Sequence, residues 1–312
     1  MATSGSIDYR VTAENLIRDA LYDCGALEEG EPITGEHTQS GLRQLNGLIK
    51  HLVSKGLHRW TKEEGILFLD GKRRSYSLPS AQCALTEFGY TTLDADEASG
   101  QTVLSVTATA PGSPLPDMAV SDTIGIELDD GTRQWTTIAS ISAGVSVTID
   151  DALTGDASSG NTVFWYTTNV DRPVRILDAR RGTYSGIQVP CEVVRYQTYQ
   201  SQPNKDATSQ PTMIAYNPGV GSGDLYVWPK GGINNVVWFT FERSIEDIDS
   251  TANTLDFPQE WYQPLQDMLA ARLGPQYQVP MGRQQYLEQR SALALDEILT
   301  WDAEPAPIEF TR

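Results

Sequence analysis

Three histidines, two pairs of adjacent aspartates, a glycine-rich loop and a set of strand aromatics are the residues whose types and spacing bear on chemistry. His51 and His58 stand seven apart, a spacing that shares one helix face, but Gly56 interrupts the helix between them, and His37 stands alone. A zinc site needs three or four converging ligands. Cys24, Cys83 and Cys191 supply none at short spacing, so the histidines read as surface or packing residues and no metal is expected. Asp129-Asp130 and Asp150-Asp151 have the composition of an acid–base pair or a cation site. Neighbours on a strand point to opposite faces, and the first pair opens an Asp-Asp-Gly-Thr turn, so both pairs read as turn residues. Gly219-Val220-Gly221-Ser222-Gly223 precedes a strand. A phosphate cradle needs a helix after its glycines, so this run reads as a hairpin loop. Trp135, Trp165, Tyr166, Trp228 and Trp238 have rings able to stack on sugars or bases, but at strand alternation such rings read as core. No serine elbow, zincin or Walker pattern occurs, and nothing assembles a catalytic constellation. An enzyme is not expected, nor is a cofactor.

The charge balance narrows the partners. The chain has 41 acidic and 23 basic residues, a formal charge of −18, whereas tight nucleic-acid binders need a basic face. An acidic wall along which DNA passes without sticking is compatible with that charge. Three cysteines do not make a disulfide framework, which points to synthesis in a reducing cytosol. The first ten residues lack an apolar run, and no stretch approaches the ~20 apolar residues of a membrane span, so neither a signal peptide nor a membrane is expected.

The elements that must position these residues fall into three zones. Between 81 and 169 stand twelve Asp or Glu and one basic residue, Arg133, in a Thr/Ser/Gly/Val-rich segment. Before it, Thr12 is an N-cap and Gly25 a stop for a helix carrying Leu16, Ile17, Ala20, Leu21 and Cys24. A second helix over 34–55 carries Leu42, Leu45, Ile49, Leu52 and Val53, with Gly56 as its C-cap, which makes an αα-hairpin. Gly65 to Leu78 reads as two strands turning at Asp70-Gly71. Strands are expected at 102–107, 123–128, 134–141, 145–149 and 162–167, a small barrel or sandwich inserted in a helical host. Strand patterns resume from 174 to 241, with Asp224 to Trp228 and Asn235 to Phe241 as a hairpin-like pair. Phe257-Pro258-Gln259-Glu260 opens a helix through Leu273, which Pro264 delays or kinks, and a last helix covers 282–300. The fold class is therefore α+β. Residues 1–80 and 170–302 form a discontinuous helical and hairpin domain, 81–169 an inserted acidic β-module, and 303–312 an extended arm.

The stretch AENLIRDALYDCGALEEGEPITGEHTQSGLRQLNGLIKHLVSKGL resembles the helical opening of podovirus head-to-tail adaptor proteins, with an L-x-x-L-N motif at Leu42 to Asn46. GDLYVWP, VVWFTFERSIEDID and LDFPQEWYQPLQDMLAARLGPQY are similar to the strands and D-F-P-x-E-W helix entry of phage adaptor and tail-connector sequences. The resemblance covers roughly 1–80 and 170–302. It implies a structural virion protein, synthesised in the bacterial cytoplasm and sited at the head–tail interface. Such proteins form a ring, usually of twelve subunits, beneath the portal protein, with tail nozzle or tail-tube proteins attached below. DNA crosses the lumen without sequence-specific binding. The C-terminal arm, through Pro305, Pro307, Ile308 and Phe310, and the last helix are the expected contacts with portal or a neighbouring subunit. A tail-tube or nozzle protein, sixfold rather than twelvefold, is the alternative, followed by a glycan-binding or hydrolytic β-module that uses Trp135 or Trp165.

Overall fold

The computed structural model describes residues 9–28, 30–55, 59–85, 87–107, 118–142, 146–184 and 186–302. It is an α+β protein that divides into two compact units, Met1–Thr61 with Ser244–Arg312, and Lys62–Arg243. The compact units change over at 61/62 and 243/244, so the first strand after the helical hairpin belongs with the β-rich unit.

In the helical unit, α1 (Ala13–Cys24) opens on Thr12, whose hydroxyl accepts the Asn15 N–H. It closes on Gly25 at φ +78°, where the Gly25 and Ala26 N–H groups return to carbonyls of the last turn. Helix α2 (Gly35–Ser54) opens on a reciprocal cap: the Thr34 hydroxyl accepts the His37 N–H, and His37 Nδ1 accepts the Thr34 N–H. Its C-cap is Lys55, in right-handed backbone, one residue before the expected Gly56, which with His58 lies outside the described residues. Ile17 meets α2 at Gly41, where any β-carbon would overlap the Ile17 side chain, so the two helices approach closely there.

A 3-10 turn, Gln259–Trp261, leads into α4 (Tyr262–Leu273), and α5 (Met281–Asp302) follows. Pro264 falls in the first turn of α4, where its missing N–H has no helical partner to lose. The helix begins late, as the sequence suggested. One core runs through the unit, drawing Leu16, Ile17 and Leu21 from α1, Leu45, Ile49 and Leu52 from α2, Trp261, Leu265 and Leu269 from the α4 region, and Leu287 and Ile298 from α5.

The β-rich unit holds two sheets. Strands β1 (Lys62–Phe68), β2 (Ser75–Leu78), β3 (Cys83–Leu85), β10 (Arg175–Thr183), β11 (Val189–Val194), β12 (Met213–Pro218), β13 (Gly223–Trp228) and β14 (Asn235–Glu242) form one of eight strands. Its order is β2-β13-β12-β11-β10-β14-β1-β3, antiparallel except between β11 and β12, whose parallel crossover contains the short helix α3 (Tyr196–Gln200). Two expected hairpins are corrected here. Strands β1 and β2 flank the Asp70-Gly71 turn but do not pair, since β1 lies between β14 and β3 while β2 pairs with β13. Likewise β13 and β14 do not pair, because β13 joins β12 and β14 joins β10 and β1. The order also bends the sheet. Its edge strands β2 and β3 are joined by residues 79–82 alone. Those few residues reach at most about 18 Å, whereas eight strands laid flat span about 34 Å. The sheet is therefore curled.

The second sheet has six antiparallel strands: β4 (Gly89–Thr92), β9 (Thr162–Tyr166), β6 (Thr123–Glu127), β7 (Arg133–Ser142), β8 (Ser146–Ile149) and β5 (Val103–Leu104), in that order. Strands β5 to β9 occupy the five runs expected from alternation, and β4 was not anticipated. Its ends meet. Leu93 bridges Val106, the Thr107 N–H donates to Thr92 O at 2.8 Å, and the Asp94 N–H donates to Ser105 O at 2.9 Å. The sheet is thus a small closed barrel, filled by Leu93, Leu104, Ile124, Ile126, Ile138, Val147, Ile149 and Val163. Among the described residues, closure leaves this barrel no unpaired edge strand.

The two sheets share a third cluster. Leu67, Val237 and Phe239 face the interior of the curled sheet, while Ile66, Phe68, Val236 and Trp238 on the opposite faces of β1 and β14 pack with Phe164, Tyr166 and Trp135 of the barrel. Both faces of β1 and β14 are covered. This accounts for the uninterrupted apolar runs Ile66-Leu67-Phe68 and Val236-Val237-Trp238-Phe239.

Candidate functional site

The two motifs from the sequence meet in the helical unit. Leu45 of L-x-x-L-N is fully buried, and Asn46 clamps the backbone of Ile248 from both sides. Its Nδ2 donates to Ile248 O at 2.8 Å, and its Oδ1 accepts the Ile248 N–H at 2.9 Å. One turn on, Lys50 pairs with Asp247 at 2.6 Å. The D-F-P-x-E-W residues build the facing wall: Trp60, Phe257 and Trp261 form a ring cluster with centroids 4.7 to 5.6 Å apart, and Trp60 Nε1 donates to Asp256 O. Asn46 matters because an amide supplies one donor and one acceptor, which an extended backbone residue needs at once.

Helix α5 is tied down by two arginines. Arg283 donates to the Tyr22 and Asp23 carbonyls at the C-terminal end of α1, where cations are favoured. Arg290 grips the buried Asp267 carboxylate of α4 at 2.7 and 2.9 Å. The inward face carries Leu287, Ala294 and Ile298, whereas Met281, Tyr286, Leu293 and Leu299 are exposed. Leu299, one residue after the buried Ile298, faces outward. Pro305, Pro307, Ile308 and Phe310 lie outside the described residues.

The remaining candidates are placed by their partners. His37 belongs to the α2 cap, and His51 is exposed on α2. Among the described residues, no group of three or more His, Cys, Asp or Glu is arranged to hold a metal. Asp129 accepts from Ser158 N and Oγ and from Asn161, and Asp130 accepts from Thr132 N and Oγ and from Lys72. Those donors hold both carboxyls below the usual aspartate value, led by Ser158 for Asp129 and by Thr132 for Asp130. Asp150 and Asp151, just after β8, accept from Thr137 and Thr136 of β7. These aspartates brace the barrel loops. The glycine run is the hairpin loop between β12 and β13, closed by the Gly219 N–H to Ser222 O at 2.8 Å. Trp165, Tyr166 and Trp238 are buried, and Trp135 and Trp228 are half-buried.

Sequence reasoning noted Arg133 only as the lone cation of its segment. The structure buries it to 6% exposure at the start of β7, with its guanidinium carbon 4.4 Å from the centre of the Phe164 ring. Its Nη2 donates to Ile233 O at 3.1 Å, and Nη1 lies 3.5 Å from Leu69 O, carbonyls just before β14 and just after β1 of the curled sheet. Burial pulls the guanidinium down to about 10, which leaves it charged at neutral pH. Beside it opens a cleft of about 470 Å³, lined by Arg73, Ser80, Gln82, Gln134 and Trp135 among others. A charged residue on an inward strand position gives no sign of this in one sequence, because alternation marks apolar residues.

Known proteins add little to this geometry. No family model matches the chain, and no curated protein matches it. Among solved structures, VP17, a capsid protein of bacteriophage P23-77, aligns with 62% of this chain and 78% of its own at 11% identity and a TM-score of 0.13. A likeness at that TM-score carries no argument about fold or function.

Proposed function

We propose that the chain is a non-enzymatic structural protein of a bacteriophage virion. In this reading it forms a ring, of twelve copies, between the portal vertex and the tail. The observation that carries the proposal is the mutual engagement of the two stretches that resemble adaptor sequences. Asn46 of the first pins Ile248 just ahead of the second, and Phe257 and Trp261 of the second pack on Trp60. Sequence ends about two hundred residues apart thus build one helical core, which supports reading them as a single scaffold rather than as two chance similarities. Exposed Tyr286 and Leu293 on α5 suit packing against a neighbour, as a head-to-tail ring requires. The formal charge of −18 suits a wall past which DNA slides, because phosphate finds few cations to hold it. The portal protein above, nozzle or tail-tube proteins below and passing DNA are the partners this assigns.

The test is the mass of the purified chain, alone and after mixing with the portal ring of its virus. Twelve copies bound per portal ring are expected. Six copies in a ring indifferent to portal would move the protein down the tail, and a monomer indifferent to portal would remove the reading.

A further inference from the structure

The cleft beside Arg133 is independent of the helical core on which the functional reading rests. Segment 81–169 carries twelve acidic residues and this single cation, while the rest of the β-rich unit, 62–80 and 170–243, carries nine acidic and twelve basic residues. The one cation of the acidic segment is therefore not spread on its surface but buried against the other sheet. A guanidinium has five N–H donors, and Arg133 spends two of them, one on a contact of 3.5 Å. Its Nε is buried and has no hydrogen-bond partner. No carboxylate lies within ion-pairing distance of it among the described residues.

The nearest carboxylates are committed elsewhere. Asp70 accepts from the N–H groups of Lys72 and Arg73 and pairs with the Arg73 side chain at 3.0 Å, and Glu127 accepts from the Thr162 N–H. They offset part of the buried charge from a distance. Two carbonyls and an aromatic face do not replace the carboxylate that a buried arginine calls for. The cleft wall adds Ser80, Gln82 and Trp135, together with Gln134, whose amide donates to the Asp151 and Ala152 carbonyls, and Arg73, which pairs with Asp70.

We propose that this cleft is a carboxylate-binding site with Arg133 as its anchor, taking either a small free carboxylate or an Asp or Glu side chain from a second copy of this chain. The planar fork suits a two-point contact with a carboxylate, and lysine does not reproduce that geometry.

The experiment uses the full-length protein. Its thermal midpoint is followed against sodium glutarate, with sodium chloride at matched ionic strength as control, and its mass is followed against protein concentration. A free-ligand site gives a midpoint that rises with glutarate and saturates, in excess of the chloride control, because a ligand that binds only the folded state stabilises it. A site filled by a second copy gives self-association that glutarate competes away. Arg133→Lys is expected to weaken either response at least tenfold. Because a buried substitution risks the fold, Ser80→Phe is run beside it, a change at the cleft wall that leaves Arg133 in place and is expected to abolish the response while the protein still melts cooperatively. No glutarate effect beyond chloride together with no glutarate-sensitive association overturns the proposal. So does a response that Arg133→Lys and Ser80→Phe both retain. The portal-binding result does not enter, so this site and the connector reading stand or fall separately.

Discussion

At the scale of single residues, two kinds of polar side chain hold this protein together, and they respond differently to change. Asn46 exchanges two hydrogen bonds with one backbone residue, so Asn46→Ala leaves the buried Ile248 amide without either partner. Losing them is expected to cost about 2 kcal/mol, read as a lower urea midpoint with an unchanged slope. Asp129 and Asp130 are different because they are exposed, and their acidity is set by loop donors. Their folded values lie below the unfolded aspartate value, so their contribution is complete above about pH 4 and is lost as pH falls through the folded values. Acid titration is expected to loosen the barrel loops only below about pH 4, and Asp129→Asn should flatten that part of the profile. The cysteines form a third case. Cys24, Cys83 and Cys191 are all buried, and burial raises each thiol, Cys191 to about 11. A thiol reagent at pH 8 is expected to react with none of them until the protein is denatured.

At the scale of elements, close approaches decide what each helix and strand tolerates. Gly41 seats Ile17 between α1 and α2, so Gly41→Ala sets the gain from better helix propensity, about 1 kcal/mol, against a steric clash. The overlap is with a packed core side chain, and overpacking of that kind costs about 1–3 kcal/mol, so a net loss of stability is expected by calorimetry. In the barrel, Gly125 sits directly across from Trp135, and a β-carbon there would stand 2.7 Å from the ring. Gly89 receives the Trp165 ring in the same way. Each of these glycines makes room for an aromatic on its partner strand. Helix α5 depends on arginines instead. Arg290→Ala removes the ion pair of the buried Asp267, which keeps the hydrogen bond that Gln263 Nε2 donates to it at 2.9 Å, while α5 keeps its apolar contacts.

At the scale of the whole molecule, the chain leaves the helical unit at 61/62 and returns to it at 243/244. Each apolar cluster draws its residues from one unit only: the helical core from both ends of the sequence, the three β clusters from 62–243. A fragment covering 62–243 is therefore expected to fold by itself, with a β-type circular dichroism spectrum and a cooperative melt. A fragment ending at residue 61 is expected to stay unfolded, since α1 and α2 without α4 lack the other half of their core. The ring reading is tested at this same scale by copy number on the portal.

The ends of α1, the start of α2, the barrel hairpin at Asp129 to Thr132 and the positions of most strands were determined by the sequence alone. Each rests on groups within about four residues of one another: Thr12 on Asn15, Thr34 on His37, Gly25 on Leu21. Tertiary structure alone decided which strands pair. Ile66-Leu67-Phe68 and Val236-Val237-Trp238-Phe239 meet each other, in place of the nearer β2 and β13, because only strands buried on both faces fit between the curled sheet and the barrel. The extra loop-closure entropy of a distant partner grows only slowly with length, so burial on two faces outweighs sequence proximity. Arg133 follows the same rule. Its type is plain in the sequence, but its role depends on Leu69, Phe164 and Ile233, which only folding brings to it.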